Sequence, residues 1–528
     1  MGSREASGAR PGAVRRLVHG HRRLAAALGS LAAVAAAVAA VVALLVLAPG
    51  PEGTSGTGSA GATAPSAVWV GHHGRWLTNP SGAVVLLHGV DMVDKRAPYT
   101  PAGAGFGAVA AATLAGDGFD VVRVGILYQA LEPRPGRIDR AYLASIASTV
   151  ATLAHHGIYS LLDFHQDELS AEFGGEGFPS WSVLTGGLPV RSYPFPDAYV
   201  LSAALDHAFT AFWADAAGPG GVGLQERYLQ AVRAVARRFA PDPWVIGYDL
   251  FNEPYPGTAT TGELAAFYAK AVRTVRSVDA RHIVWYEPWV TFDFGVQTAL
   301  GRLPGANLGM SFHDYCLNPL TTPAATCRAT ELRTLLNALS HATSTGDALM
   351  MTEFGATADL ADLQRVVTAA DDAEVPWIEW SYCGCGDPTG TVPASAEGLV
   401  TTPAEPGTGT NVDRAKLAVL AEPYPRVVDG TPERYAFDRA TRTFELRYTT
   451  TTPEGRRAGA GACSTVVVPP VAYPTGYTVS AAGARVTSPP DAGVVDLAQE
   501  RGATTVTVRI TPAASGRTAP PGPTAACR

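Results

Sequence analysis

Residues 245–254 of the chain read VIGYDLFNEP. The stretch is short, apolar and rich in Val, Ile and aromatic side chains, and the turn-forming residues Asn252 and Pro254 come at its end. This pattern is typical of a buried β-strand. Glu253 is among the polar residues at its end. Residues 348–355, ALMMTEFG, show the same pattern, with Glu353 after a second apolar run. Two buried strands that each carry a glutamate at the carboxyl end predict a sheet with its chemistry along one edge.

The same kind of apolar run occurs eight times between residues 83 and 380. The predicted strands are Ala83–Val90, Val121–Ile126, Tyr159–Phe164, Val245–Phe251, Ile283–Tyr286, Leu308–Phe312, Ala348–Thr352 and Trp377–Trp380. Helical patterns lie between them at Phe106–Ala115, Asp139–His155, Glu226–Phe239, Glu263–Val278, Ala329–Ala342 and Asp359–Ala373. Eight alternations in about 355 residues predict a (β/α)8 TIM barrel, an α/β fold. A doubly wound sheet is the alternative, although no Gly-rich phosphate loop follows the first run.

Polar residues cluster at the carboxyl ends of these runs, where barrel enzymes carry their chemistry. In strand order they are Asp91 and Lys95, Arg123, His165 and Asp167, Asn252 and Glu253, Glu287, His313 and Tyr315, Glu353, and Trp380. A single Glu or His at a strand end is most often a solvated or capping residue. Eight strand ends that carry carboxylates, imidazoles, an amide, a guanidinium and an indole together predict one active site.

Two of these motifs resemble those of a known enzyme family. Residues 251–254, FNEP, and 352–355, TEFG, look like the acid/base and nucleophile motifs of glycoside hydrolase family five. The family's other signature positions are matched by Arg123, His165, Asn252, His313, Tyr315 and Trp380. The resemblance implies a TIM barrel and a retaining glycosidase.

A narrower resemblance covers nearly the whole chain after Ser66. The segments that carry it are residues 88–90 (HGV), 95–99 (KRAPY), 163–167 (DFHQD), 175–181 (GEGFPSW), 422–425 (EPYP) and 430–433 (GTPE). They are similar to endoglycoceramidases, enzymes that cut the bond between an oligosaccharide and ceramide. The resemblance therefore implies a glycosphingolipid substrate.

The chemistry of acetal cleavage supports the same pair of glutamates. It needs one protonated carboxyl group beside the leaving oxygen and one ionised carboxylate beneath the anomeric carbon. A nearby negative charge or poor solvation keeps a carboxylic acid protonated, and strands four and seven can place two Glu across a barrel mouth. We assign Glu253 as acid/base and Glu353 as nucleophile. Arg123 and Tyr315 are placed to keep Glu353 ionised and oriented, and His313 to tune Glu253.

The remaining candidates are predicted to bind the sugar next to the cleaved bond. Asn252 suits a hydrogen bond to the 2-hydroxyl, which strengthens as positive charge develops. Trp380 offers a flat apolar face for sugar C–H groups. Lys95, His165 and Asp167 suit the recognition of hydroxyl groups, which the resemblance also implies. A solvated loop lysine is the alternative for Lys95.

Three acidic residues near the same strand ends receive other interpretations. Asp163 is interpreted as a brace inside the barrel. Glu287 is interpreted as structural, because the fifth strand contributes little in the family that the chain resembles. Asp91 is left unassigned.

The N-terminus predicts export. Residues 1–23 hold six Arg and one Glu, Leu24–Ala48 contains no charge, and residues 49–66 are rich in Pro, Gly, Ser and Thr. The apolar segment reaches the roughly 20 residues that span a bilayer. Residues 1–48 are therefore a signal peptide or an N-terminal membrane anchor, and residues 49–66 a flexible linker. Positive charge before the segment keeps the N-terminus inside, so the remaining chain is expected outside the cell, secreted or anchored.

Charge and cysteine content argue against some classes of binding partner. The chain has 40 basic and 47 acidic residues, a net charge of −7, which argues against nucleic acid as a partner. The six Cys form no CxxC pair and no zinc-type spacing with His, so they indicate disulfides or thiols rather than metal ligands. We expect no metal and no cofactor.

From residue 422 onward the pattern changes to short alternating runs separated by Pro and Gly. The predicted strands are Phe444–Tyr448, Thr465–Val468, Tyr477–Ser480, Ala484–Thr487, Val494–Leu497 and Thr504–Ile510. They predict a small antiparallel β-sandwich over residues 422–528, after a catalytic barrel over residues 67–421. No run of exposed aromatics marks a sugar platform, so a structural role against the barrel is favoured over carbohydrate binding.

Six Cys allow fifteen complete disulfide pairings, so the pairing is open. Cys316 with Cys327 is the most plausible bridge in the barrel, and Cys463 with Cys527 could tie the ends of the C-terminal domain. Cys383 and Cys385 could bridge each other only with strain.

The segment from Glu168 to Gln225 is too long for a simple βα loop, and segments of that length usually serve a function. Its aromatic residues are Phe173, Phe178, Trp181, Tyr193, Phe195, Tyr199, Phe209, Phe212 and Trp213. Around Tyr199 to Ala214 the spacing is helical, which predicts packing against the barrel. The others either line an apolar groove for the two ceramide chains or contact a lipid surface. Packing alone is the alternative.

These observations favour an exported retaining glycosidase that releases glycan from glycosphingolipids at a membrane or micelle surface. A glucosidase or galactosidase acting on simple glycolipids, such as glucosylceramide or steryl glucosides, is a second hypothesis. A surface glycolipid-binding protein without activity is a third. The presence of both Glu with all their signature neighbours weighs against the third.

Overall fold

The computed structural model describes residues 68–316 and 324–513. Three short strands come first: β1 (Gly71–His73), β2 (Trp76–Thr78) and β3 (Val84–Val85). Eight parallel strands then close into a barrel: β4 (His88–Met92), β5 (Val121–Leu127), β6 (Tyr159–His165), β7 (Val245–Asp249), β8 (Ile283–Tyr286), β9 (Leu308–Asp314), β10 (Ala348–Phe354) and β11 (Trp377–Glu379). Strand order around the barrel follows the chain, with β11 pairing back to β4. The predicted TIM barrel is confirmed.

Helices alternate with these strands along the chain. They are α1 (Ala108–Gly116), α2 (Tyr128–Leu131), α3 (Arg140–His155), α4 (Ala198–Leu201), α5 (Ala203–Trp213), α6 (Leu224–Phe239), α7 (Thr261–Arg276), α8 (Ala324–Thr345), α9 (Leu360–Asp372), α10 (Ala394–Glu397) and α11 (Arg414–Leu420). Polar side chains fix where the long helices begin. The Asp139 carboxylate accepts hydrogen bonds from two backbone N–H groups at the start of α3, and Thr260 and Glu263 form a capping box at α7.

The barrel interior has an apolar floor beneath a polar layer. Side chains alternate between the two faces of a strand, so inward residues recur at every second position. The floor is a buried apolar cluster that includes Val121, Leu161 and Trp285. Two residues further along the same strands lie Arg123, Asp163 and Glu287, all buried. The carboxyl half of the barrel is therefore lined with charge, where active sites of this fold lie.

The C-terminal part forms two antiparallel sheets, as predicted. Its strands are β12 (Tyr424–Val428), β13 (Thr431–Asp438), β14 (Thr443–Thr449), β15 (Cys463–Val467), β16 (Tyr477–Ala482), β17 (Ala484–Val486), β18 (Val494–Gln499) and β19 (Thr505–Pro512). One sheet has the order β13-β14-β19-β16 and the other β1-β2-β3-β12-β15-β18-β17. Apolar residues of both sheets are buried in one shared core.

The predicted strand Ala83–Val90 is in fact two strands in different sheets. Val84 and Val85 pair antiparallel with β12, whereas His88 begins the first barrel strand. Strands β1 to β3, which the sequence assigned to the barrel range 67–421, therefore extend the C-terminal sheet. Both halves of the run are buried, so no change in hydropathy marks the crossing. Strands β12 and β13 were missed because each contains Pro, which argues against a strand in sequence patterns.

The two parts pack together at the end of the barrel where its strands begin. The Tyr435 hydroxyl donates to Asp371 Oδ1 at 2.9 Å, and the His88 ring stacks on both Trp377 and Tyr424. Burial raises the pKa of the Asp371 carboxyl to about 7. The C-terminal sheets therefore lie on the side of the barrel away from the charged layer.

Disulfides join Cys316 with Cys327 and Cys383 with Cys385. The first bridge confirms the prediction. The second, expected only with strain, is present with a Cα–Cα distance of 5.1 Å. Cys463 is also disulfide-bonded, and its predicted partner Cys527 lies outside the described residues.

The predicted signal peptide or anchor and the linker, residues 1–66, also lie outside the described residues. Within residues 68–316 and 324–513, no helix is both long and apolar enough to cross a membrane.

Candidate active site

Glu253 and Glu353 lie on either side of His313 at the mouth of the barrel. His313 Nδ1 is 2.9 Å from Glu253 Oε1 and 3.5 Å from Glu353 Oε2. The two carboxylate oxygens are thus no more than 6.4 Å apart, the sum of these distances. Retaining glycosidases hold their carboxyl groups about 5–5.5 Å apart, and inverting ones about 6.5–9.5 Å apart. The spacing fits a retaining pair.

One buried guanidinium connects this pair to the barrel interior. Arg123 Nη1 donates to Glu353 Oε1 at 2.5 Å, and Nη2 donates to Asn252 Oδ1 at 2.9 Å. Four more carboxylates lie within 3.2 Å of its terminal nitrogens: Asp91, Asp163, Asp249 and Glu287. Although burial lowers it, these carboxylates raise the pKa of Arg123 well above its ordinary value. Arg123 is therefore a permanent positive charge beneath the site.

Burial opposes the ionised form of two of the carboxyl groups around Arg123. Burial raises the pKa of Asp91 and of Asp249 well above the ordinary value, although Arg123 opposes the shift. Asp249 also accepts a hydrogen bond from the Ser311 hydroxyl at 2.9 Å. The polar layer therefore contains carboxyl groups with raised pKa values beside the positive charge of Arg123.

Glu353 is held at both of its oxygens. Arg123 donates to Oε1, and the Tyr315 hydroxyl donates to Oε2 at 3.0 Å. Two donors on separate oxygens fix the orientation of a carboxylate and favour its ionised form. This arrangement suits a carboxylate that must stay charged and aimed.

Glu253 stands in a contrasting environment. Burial raises the pKa of Glu253, the hydrogen bond from His313 lowers it, and the charge of Glu353 raises it again, with a net rise. Burial also lowers the pKa of His313, but Glu287 and Glu353 raise it well above its ordinary value. The acid/base role requires a carboxyl group that holds its proton, and the raised pKa of Glu253 suits that role.

Glu287 belongs to this site, although the sequence analysis interpreted it as structural. Its Oε2 accepts a hydrogen bond from the Glu253 backbone N–H at 2.8 Å, and its Oε1 lies 3.4 Å from His313 Nε2. Glu253 has a φ of 41°, a left-handed conformation that non-glycine residues rarely adopt. Glu287 therefore holds the strained backbone of one candidate and the imidazole of another.

Lys95 is the centre of a second group of polar residues. Its ammonium lies 2.6 Å from Asp167 and 2.9 Å from Asp387, donates to Thr389 Oγ1 at 2.7 Å, and is 3.8 Å from Glu176. Burial lowers the pKa of Lys95, but these carboxylates raise it well above the ordinary value. The alternative of a solvated loop lysine is therefore wrong.

Asp163 joins the two groups. One of its oxygens is 3.0 Å from Arg123 Nη2 and the other is 2.7 Å from His165 Nδ1. Burial lowers the pKa of His165, but Asp163 and Asp167 together raise it to about 10. His165 is thus a buried cation between the groups, and Asp163 does more than brace the barrel.

Trp380 covers the second group from above. Its ring stacks on His165 with a centroid distance of 5.2 Å, and the Lys95 ammonium lies 4.4 Å from its centroid. The indole N–H donates to Glu397 Oε1 at 2.5 Å. The ring is therefore locked in place, with 6% of its surface exposed.

A glycine lets Glu176 reach this group. Asp167 and Glu176 exchange two backbone hydrogen bonds, of 3.1 and 2.9 Å. A Cβ on Gly175 would lie 1.7 Å from the Asp167 carbonyl oxygen, so only glycine permits the approach. The motif at residues 175–177 thus places a buried carboxyl group whose pKa burial raises well above the ordinary value.

At the barrel mouth, two of the three sets of described side chains with clustered metal-ligand atoms lie in the candidate site. His165, Asp167 and Glu176 form one, and Glu253, Asp293 and His313 the other, each within 4.8 Å. In the first set the Lys95 ammonium already contacts the Asp167 carboxylate, and in the second His313 and Glu253 contact each other.

All ten residues that the sequence analysis selected lie in these two groups. The neighbours that it missed or placed elsewhere are Asp91, Asp163, Glu176, Asp249, Glu287, Asp387, Thr389 and Glu397. A charged residue inside an apolar strand was a usable signal for Asp163 and Asp249. Asp387 and Thr389 carried no such signal, because they lie in an irregular segment after β11.

Five aromatic residues of the segment after β6 belong to the core. The predicted packing is confirmed for Phe209, Phe212 and Trp213, whereas the groove or lipid-surface hypothesis is wrong for Phe173 and Phe178. Phe178 packs against Tyr128, Phe212, Tyr228 and Phe251 and is almost fully buried. The other buried members are Phe173, Phe209, Phe212 and Trp213. The exposed apolar residues of this segment are instead Leu188, Val190 and Leu201.

A closed (β/α)8 barrel with a retaining-type glutamate pair at its mouth defines a glycosidase. The chain belongs to glycosyl hydrolase family 5. Residues 107–386 match the family's cellulase model, and residues 423–511 match the glycoside hydrolase family 5 C-terminal domain. The protein is therefore a glycoside hydrolase.

Individual relatives point to one part of this family. Endoglycoceramidase I of Rhodococcus hoagii is 30% identical over 476 residues, which cover 85% of this chain and 90% of that protein. An endoglycoceramidase of Cyanea nozakii is 27% identical over 415 residues, covering 71% and 80%. The structure of endo-glycoceramidase II from Rhodococcus sp. in complex with a cellobiose-like imidazole superposes with a TM-score of 0.70 and 26% identity, covering 83% of this chain and 100% of that one.

Proposed function

We propose that the protein cleaves the bond between glycan and ceramide in glycosphingolipids, with retention of configuration. The observation that carries the proposal is the glutamate pair, with Glu353 held by two donors and Glu253 by His313. Likeness to endoglycoceramidases over most of the chain supports the substrate class.

In the first step Glu353 attacks the anomeric carbon. Glu253 gives its proton to the glycosidic oxygen, so ceramide leaves as a neutral alcohol while the sugar forms an ester with Glu353. Arg123 and Tyr315 keep the nucleophile ionised and aimed before attack. The raised pKa of Glu253 keeps its proton available.

In the second step water releases the sugar. Glu253 is now a carboxylate and takes one proton from the water, whose oxygen attacks the anomeric carbon as the bond to Glu353 breaks. His313, whose pKa the neighbouring carboxylates raise, lies within 3.5 Å of both glutamates and can hydrogen-bond to Glu253 as its charge changes. Two inversions give net retention.

The second group of residues binds the sugar next to the cleaved bond. Lys95, Asp167 and His165 present donors and acceptors there, and the locked Trp380 ring offers an apolar face. Asn252 retains one amide hydrogen after its bond to the Gln166 carbonyl, for the sugar 2-hydroxyl.

The exposed leucines and valine after β6 contact the lipid. Leu188, Val190 and Leu201 are 39%, 42% and 55% exposed, on a segment that starts directly after Asp167. The segment is fixed near the site because the Tyr199 hydroxyl accepts a hydrogen bond from the Glu168 backbone N–H. Ceramide enters over these side chains from a membrane or micelle surface.

Export completes the proposal. The Arg-rich opening and the uncharged segment Leu24–Ala48 direct the rest of the chain outside the cell, where it is secreted or stays anchored. Treatment of intact cells with an external protease tests this part, because only protein outside the cell is cut. Recovery of the protein in the medium or in the membrane fraction separates secretion from anchoring.

Assays on a panel of substrates test the activity. Purified protein starting at Ser66 is given glycosphingolipids, glucosylceramide, steryl glucosides and cello-oligosaccharides, with the E353Q variant as the matched inactive control. We expect release of intact oligosaccharide and ceramide, with the β-anomer formed first. Efficient hydrolysis of cello-oligosaccharides without any gain from an attached lipid would contradict the substrate class.

A further inference from the structure

The outer face of the four-stranded C-terminal sheet carries arginines that the proposed function does not use. Arg434 on β13 lies directly opposite Arg447 on β14, and Arg447 lies opposite Thr507 on β19. Arg509 follows in the next row of β19. We call these three arginines the arginine face. All three point away from the shared core, which takes the alternate residues of the same strands.

Sheet stability does not account for this arrangement. Like charges directly opposite each other on neighbouring strands are destabilising. Glu433 lies 2.6 Å from Arg447 and relieves part of the repulsion. Within the described parts of the chain no carboxylate forms an ion pair with Arg434. Arg434 therefore adds repulsion to the sheet without a compensating partner.

The arginine face borders a concavity of about 480 Å³. Its floor is made by small residues, because Ser480, Ala482 and Thr507 occupy the facing positions of β16 and β19. Arg509 is held at the rim by an ion pair with Glu445. The hollow has the size of a small-molecule site, with two hydroxyl groups at its base.

The charge of the chain is divided between its two parts. Residues 422–528 contain 12 Arg and 9 acidic residues, whereas residues 67–421 contain 22 basic and 36 acidic residues. The C-terminal domain is therefore basic in an acidic protein. An anion that approaches the protein is repelled by the barrel and attracted to this domain.

We propose that the arginine face binds a phosphate group. Two guanidinium forks and the Ser480 and Thr507 hydroxyls supply more donors than the two oxygens of a carboxylate can use, whereas a phosphate has three free oxygens. The lining contains no aromatic side chain for stacking on a sugar ring. The phosphate belongs either to a soluble molecule or to a lipid headgroup, and this binding does not depend on the proposed glycosidase activity.

Titration calorimetry with inorganic phosphate tests the site. The titration is done on the protein from Ser66 in a non-phosphate buffer at fixed ionic strength, with chloride as the control anion. We expect saturable binding that weakens at least tenfold in the R434Q/R447Q double variant. The charge-conserving R434K/R447K variant is also expected to weaken binding, because lysine lacks the guanidinium fork.

The matched control is Arg485, an exposed arginine of the same domain in the other sheet. R485Q should bind phosphate like the parent protein, and unchanged melting temperatures show that all variants fold. Pelleting with vesicles that contain phosphatidic acid, a phosphomonoester with three free oxygens, but not with neutral phosphatidylcholine vesicles, identifies a lipid headgroup. Phosphate binding without pelleting identifies a soluble ligand. Absence of phosphate binding, or equal losses in R485Q and R434Q/R447Q, overturns the proposal.

Discussion

The Glu287 side chain accepts a hydrogen bond from the backbone N–H of Glu253 at 2.8 Å. The contact fixes a residue whose backbone is left-handed at φ 41°. The same carboxylate lies 3.2 Å from Arg123 and 3.4 Å from His313. One side chain at the end of the fifth barrel strand thus positions the acid/base candidate and the imidazole beside it.

Replacement of Glu287 by Ala should lower kcat more than it changes KM. Without the carboxylate the Glu253 backbone relaxes and its carboxyl group moves, and a misplacement of about 1 Å costs on the order of 10²-fold in rate. In E287Q the backbone contact survives but the charge beside His313 is lost, so the pKa of His313 should fall and the pH profile of kcat/KM should shift. E331Q, a buried carboxyl in α8 outside the site, is the control. Identical pH profiles for E287Q and the parent protein would show that Glu287 only supports the fold.

Replacement of Glu353 by Gly should abolish turnover of the natural substrate. The ester intermediate cannot form without this carboxylate, whereas azide or fluoride fits the space and restores cleavage of an activated glycosyl substrate. Trapping with a fluorosugar followed by peptide mapping identifies the nucleophile in the parent protein. A label on Glu253, or on neither glutamate, would contradict the assignment.

Replacement of Glu253 by Ala should slow the natural substrate by roughly 10²–10⁴-fold, because proton donation to the ceramide oxygen is lost. Aryl glycosides with acidic leaving groups need little protonation and should be cleaved at nearly the parent rate in the first step. Comparison of both substrates in stopped-flow experiments measures the difference. Equal losses on the two substrates would assign Glu253 to binding or folding instead.

Asp371 should make the fold less stable as the pH rises. Its pKa is raised by burial from 3.8 to about 7, so the folded protein keeps a proton that the unfolded chain has already lost. The stabilisation is present below the unfolded value and is lost between about pH 4 and pH 7, on the order of a few kcal/mol. D371N does not titrate, so its free energy of unfolding should rise relative to the parent protein from pH 5 to pH 8. Parallel curves in urea titrations would mean that Asp371 does not titrate in this range.

Replacement of Leu201 by Asp, alone or together with replacement of Val190 by Asp, should weaken turnover of micellar glycosphingolipid. Turnover of a soluble aryl lactoside should stay unchanged. Burial of an apolar side chain in a lipid surface contributes roughly 25 cal/mol per Å², which a carboxylate loses. Both residues are exposed, so the fold should be unaffected. Val109, exposed on α1, is the matched control. Equal effects on both substrates would show that Leu201 and Val190 do not contact the lipid.

The sequence predicted the barrel well because apolar runs of strand length alternate with helical patterns. It also selected ten candidate residues that the structure brings close together, because a parallel barrel brings all carboxyl strand ends to one rim. What it could not predict were contacts between distant irregular segments. Asp387 and Thr389 reach Lys95 across nearly 300 residues, and no periodic pattern marks such a meeting.

Sequence patterns also failed where apolar residues are buried in either of two possible environments. Phe178 and Trp181 look equally suited to a groove, yet only the structure shows Phe178 inside an aromatic core. Likewise the run from Ala83 to Val90 is apolar throughout, although its halves serve different sheets. Hydropathy reports burial but not the partner against which a residue is buried.

The crossing from β3 to β4 has a consequence for how the chain folds. Residue 85 pairs with residue 427, and residue 88 begins the first barrel strand three positions later. Strand β3 thus waits for a partner that lies 342 positions later in the chain, from residue 85 to residue 427, and pairing over such a separation is slow. The barrel strands β4 to β11 are complete at residue 379, whereas β3, three residues before the first of them, reaches its final pairing only after residue 427 has been synthesised.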